Sequence, residues 1–98
     1  MKIAAALPKM RAISLAEALA LLRWPGFRVR LHAVIAGRAP SKPFYSDPLT
    51  GAAARGREYD LDGGRRWRLI ACNGGWYLAR HTNARDFEYW RISDWPGG

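Results

Sequence analysis

Arg28, Arg30 and His32 alternate along one stretch of this 98-residue chain, and Arg66 and Arg68 along another. Alternation with a period of two puts side chains on one face of a β-strand, so the two sets meet on one sheet surface if their strands lie close. Tyr77 and His81, in a third stretch, are placed to join them. Cations interleaved with ring faces are what a nucleic-acid surface needs, the cations for phosphate and the rings for stacking. Glu58, Asp60 and Glu88 on neighbouring strands would oppose this by cross-strand pairing. A net charge of +8 is more than such pairing absorbs. The basic residues are 13 Arg against 3 Lys, and Arg brings a planar fork suited to phosphate and carboxylate. The same bias would also follow from GC-rich coding, since Ala, Gly and Pro are abundant as well.

Other chemistry is poorly supported. Glu58, Asp60 and Asp62 alternate on one strand face and suggest a cation site, but hard-cation sites draw ligands from a bent loop, and no Gly-turned calcium loop is present. No metal site is expected. Cys72 precedes a turn with nothing local to activate its thiol. His32 and His81 lack the spacing of a metal pair, and the Gly pairs are turn signals rather than phosphate loops. The expectation is a protein that is not an enzyme and carries no cofactor. A lone cysteine allows no intrachain disulfide, which fits a reducing, cytoplasmic setting. The first seven residues start like a signal peptide, but Pro8, Lys9 and Arg11 interrupt the apolar run. No stretch is long enough to span a membrane.

The elements that must position these groups centre on residues 57–92. Four short runs rich in aromatic and β-branched residues are separated by Asp62-Gly63-Gly64, Asn73-Gly74-Gly75 and a polar break. Asn and Gly tolerate the positive φ of tight hairpins, so the stretch reads as a four-stranded antiparallel meander. In its last strand Phe87 and Tyr89 oppose Glu88, Trp90 and Ile92, leaving apolar groups on both faces. Upstream, Ser14-Leu15-Ala16-Glu17 is a capping box. It predicts a helix from Leu15, with Leu15, Ala18, Leu19 and Leu22 as its buried stripe and Pro25-Gly26 as its stop. Ile3 to Leu7 reads as an edge strand or a loose arm. Residues 27–36 alternate and read as a fifth strand with a basic outer face. Residues 37–55, with three prolines, read as a flexible loop pinned by Phe44 and Tyr45. Residues 93–98 read as a tail, with Trp95 folding back onto the core. The expected fold is α+β within a single domain, 1–98: a four- to five-stranded antiparallel meander with one short N-terminal helix packed on one face.

In size, class and basic charge the whole chain resembles the small orphan proteins of phages and mobile elements, anti-CRISPR inhibitors among them. That resemblance implies one compact domain whose surface blocks a nucleoprotein machine. Many such inhibitors are acidic DNA mimics, and a basic one must instead occupy an acidic protein surface or hold nucleic acid itself. The function expected is non-enzymatic binding to nucleic acid, or to the acidic surface of a nucleoprotein complex, through Arg28, Arg30, His32, Arg66, Arg68, Tyr77 and His81. The rival reading is a protein–protein module or homodimer using Trp90, Ile92 and Trp95 with Phe44 and Tyr45. No membrane partner is expected.

Overall fold

The computed structural model describes residues 10–46, 53–63, 66–82 and 87–96. Strand β1 (Arg11–Ile13) is followed by helices α1 (Leu15–Leu21) and α2 (Pro25–Ile35), then strands β2 (Lys42–Ser46), β3 (Ala53–Asp60), β4 (Trp67–Cys72), β5 (Gly75–His81) and β6 (Phe87–Ile92). They form one six-stranded sheet in the order β1-β6-β5-β4-β3-β2. All neighbours are antiparallel except β1, which runs parallel to β6. The class is α+β as expected, but the sheet is mixed and carries two helices. Ile3 to Leu7 lies outside the described residues.

The meander obeys its turn chemistry. Asn73 and Gly74 take φ of 53° and 76°, and Cys72 pairs with Gly75 across a two-residue hairpin, the geometry an Asn-Gly pair favours. The β3–β4 connection is held differently. The Asp60 carboxylate accepts from the N–H groups of Asp62 and Gly63, at 3.2 and 3.0 Å. The Asp62 carboxylate accepts from those of Arg66 and Trp67.

Two sequence expectations need correction. Residues 27–36 are helical. Pro25, read as a stop, occupies the first turn of α2, where its missing N–H costs nothing and its fixed φ is already helical. Phe27, Leu31, Val34 and Ile35 lie at i, i+4, i+7 and i+8, and all four pack into the core. Val29, which the alternating pattern required to be buried, is 66% exposed. The 37–55 stretch is also not wholly loop, since β2 and the start of β3 lie inside it. Pro43 sits in β2 because β2 is the outermost strand, where a missing donor need not break a ladder on the outer side.

Helix α1 matches its sequence signature. The Ser14 hydroxyl accepts from the Glu17 N–H at 3.0 Å, and Glu17 accepts from the Ser14 N–H at 2.9 Å. Ala18 and Leu22 are fully buried. They join Ile13, Leu31, Val34, Leu61, Trp67, Leu69, Leu78 and Ile92 in the main core between helices and sheet. Trp95 folds back as expected, stacking on Trp76 with ring centres 4.1 Å apart. No described helix is long and apolar enough to cross a membrane.

Candidate nucleic-acid interface

The helices cover one sheet face, the side of Trp67, Leu69, Trp76, Leu78, Trp90 and Ile92. No described helix lies on the other face. Its side chains are set by the register, because directly paired residues point the same way. One row runs Lys42, Glu58, Ile70, Tyr77, Arg91, and the next Asp60, Arg68, Ala79, Tyr89. Phe44 and Cys72 flank the first row across Gly56, and His81 pairs with Phe87 beyond the second.

Ile70, Cys72 and Ala79 are buried on this face although no described helix lies on it. They are covered by a ring layer of half-buried Phe44, Tyr77, Phe87 and Tyr89. His81 stacks on Phe87 with ring centres 4.6 Å apart, and Phe87 on Tyr89 at 5.9 Å. Glycines seat two of the rings. A Cβ on Gly56 would fall within 3.0 Å of the Phe44 ring and the Ala71 carbonyl oxygen, and one on Gly75 would fall 2.8 Å from the Tyr77 hydroxyl.

The cations are fewer than the sequence suggested. Arg68 lies on the face with its guanidinium over the Phe87 ring and bonds Glu58 at 3.2 Å. Lys42 and Arg91 have no carboxylate partner among the described residues. Glu88, expected to neutralise this face, points to the other side and pairs with Arg80. Asp60 stays ionised. Burial raises its pKa, but the N–H bonds from Asp62 and Gly63 and the charge of Arg30 outweigh that and hold it below the usual carboxylate value.

Of the residues expected to share one basic surface, the sheet brings together Arg68, Tyr77 and His81. Arg28, Arg30 and His32 are on α2, behind the sheet, and as i, i+2 and i+4 of a helix they do not share one face. The Arg28 Nε donates to the carbonyls of Leu19 and Leu22, at 3.0 and 3.1 Å, a cationic cap on the end of α1. Arg30 reaches the β3–β4 turn beside Gly63 and Asp60. His32 is exposed on α2. Arg66 stands just before β4 and lines a cleft on the helix side.

Of the residues of the rival interface only Ile92 is buried; Trp90, Trp95 and Phe44 are half-buried. Trp90 stacks on Trp67 at 6.0 Å and borders α1 through Glu17, Ala20 and Leu21. The outer edge of β6 at residues 90–92 is occupied by β1, which closes that route to pairing of last strands. Tyr45 alone of this group is strongly exposed.

Phe44, Phe87, Tyr89, Lys42 and Arg91 were not anticipated as members of the basic face. The signal was present for two of them. Alternation already set Phe87 and Tyr89 on one side, and a meander must lay that strand beside Tyr77 and His81. Comparison of the chain with protein-family models, with curated proteins and with solved structures gives no match.

Proposed function

We propose that this protein binds single-stranded nucleic acid, without catalysis, on the face of its sheet opposite helices α1 and α2. One observation carries the reading: Phe44, Tyr77, His81, Phe87 and Tyr89 form a ring layer with Lys42, Arg68 and Arg91 set among and beside them. Every base has a π-face, and stacking on an aromatic side chain contributes about 1–3 kcal/mol per base without reading sequence. The cations answer the phosphates. A duplex hides its base faces, and the face offers no helix to enter a major groove. The strand it takes can be free or displayed by a nucleoprotein complex, the setting that the resemblance to small phage inhibitors implies.

Fluorescence anisotropy with one oligonucleotide, alone and annealed to its complement, tests this. The single strand should bind at least about tenfold more tightly, the equivalent of one stacked base. Equal or tighter binding of the duplex would sink the proposal, as would an absence of binding to both. In the latter case the basic surfaces would serve an acidic protein.

A further inference from the structure

At the end of the sheet where β4 begins and β5 finishes, Leu21, Arg23, Trp24, Arg66, Trp67 and Arg80 line a cleft of about 310 Å³ on the helix side. Half of its lining is arginine, and Trp24 is 68% exposed. Arg80 is fixed in place, with its guanidinium carbon 5.6 and 5.8 Å from the ring centres of Trp67 and Trp90 and a bond to Glu88. Arg23 and Arg66 make no ion pair among the described residues. Arginines lining one cleft with an exposed indole suit a phosphate with a base next to it.

The cleft adjoins the ring layer. The His81 N–H donates to the Arg66 carbonyl at 2.7 Å, and His81 stacks on Phe87. Arg66 thus links the His81 end of the ring layer to the cleft. The charges also call for a continuation of the ring layer. The ring face holds only Lys42 and Arg91 as cations without a carboxylate partner among the described residues, so it is richer in stacking than in phosphate contacts.

We infer that the Arg23–Trp24–Arg66–Arg80 cleft is a second nucleotide subsite, holding phosphate and stacking a base on Trp24, for a single strand that crosses the ring face and wraps the rim. The inference rests on the single-strand reading and extends its footprint. Single-strand-binding OB folds cover roughly 4–16 nucleotides, and on that scale oligonucleotides of about 5 and about 12 residues separate the two surfaces. The double variant Arg23→Ser/Trp24→Ser and, separately, Arg66→Gln are compared with the parent by anisotropy, with circular dichroism melts to verify folding. Arg23→Ser/Trp24→Ser should weaken the long oligonucleotide by about tenfold or more, in line with one lost stack and a phosphate contact. Arg66→Gln should weaken it by the smaller amount of a single phosphate contact. Both should leave the short one within about twofold. Tyr77→Ala/Phe87→Ala should weaken both lengths. If folded cleft variants bind the long oligonucleotide like the parent while the ring variants lose it, the subsite is overturned and the ring-face reading stands. Equal weakening of both lengths by the cleft variants overturns the wrapped path. If the parent binds neither length, both readings fall together.

Discussion

Arg68 holds two partners at once: its guanidinium carbon lies 5.2 Å from the Phe87 ring centre and its Nη1 lies 3.2 Å from a Glu58 carboxylate oxygen. The side chain is thereby laid along the open face, with the ring fixing the plane of the fork and the carboxylate fixing its direction. This sets a preoriented cation against an aromatic ring of the open face.

Arg68→Gln removes the charge and both contacts. Lys42, Arg68 and Arg91 together predict a salt dependence of about −2 for single strands, at about −0.7 per phosphate met. The variant should flatten the slope by about 0.7. A half-exposed ion pair stabilises by only about 0–1 kcal/mol, so the melting temperature should move little. Binding titrations across a salt series, beside a thermal melt, check both statements.

Gly56→Ala and Gly75→Ala should behave differently. The new methyl at 56 meets the Ala71 backbone oxygen as well as the Phe44 ring, so the strands must shift, at a cost of about 1–3 kcal/mol. The methyl at 75 meets only the far end of the Tyr77 side chain, which can swing away. Gly75→Ala should therefore keep most of its stability while losing affinity for single strands. Chemical denaturation and anisotropy on the same two variants distinguish these outcomes.

Helix α1 depends on its buried stripe more than on its cap. Leu22 is fully buried, so Leu22→Ala should cost about 2–5 kcal/mol. Ser14→Ala removes one capping bond and should cost about 1 kcal/mol. Urea unfolding should rank them in that order.

Asp60 gives an acid-side signature. Its carboxyl is held below the ordinary value of about 3.9, so its contribution is fully present above that pH and is lost as the pH falls through the folded value. Asp60→Asn should melt below the parent at neutral pH, with the gap narrowing below about pH 4. A gap that stayed constant down to about pH 2 would show that the carboxylate charge is not what holds the β3–β4 turn.

The legible part of the sequence was local chemistry with one solution. Asn73-Gly74 admits one tight hairpin, and Ser14 with Glu17 fixes one helix start, so β4, β5 and α1 fell where expected. Residues 27–36 failed because Phe27, Leu31, Val34 and Ile35 satisfy a helical stripe while Phe27, Val29, Leu31, Ala33 and Ile35 satisfy an alternating one. The decision belonged to Pro25, which ends one helix or begins another according to the residues on its C-terminal side. That error moved Arg28, Arg30 and His32 off the sheet and took most of the expected basic face with them. Pro43 misled in the same way, since proline forbids an inner strand but not an outermost one. The ring layer needed strand order as well as strand faces. Phe44 reaches it only because β2 pairs with β3 through a register shift between Phe44 and Ser46, which no local pattern specifies.

The join between β1 and β6 sets the order in which the chain can finish. The Ile13 carbonyl accepts from both the backbone N–H and the hydroxyl of Ser93, at 2.8 and 3.1 Å, and the Leu15 N–H donates to Asp94 at 2.6 Å. These bonds close a loop of about 80 residues, and contacts that distant slow folding because the chain entropy is spent before they form. During synthesis the first strand leaves the ribosome long before its partner exists. Until residue 94 emerges, α1 has neither the Asp94 carboxylate at its first turn nor the Ile92 side chain beneath it. The nascent protein must therefore carry the apolar stripe of α1 without its final cover until Ile92 and Asp94 have been made.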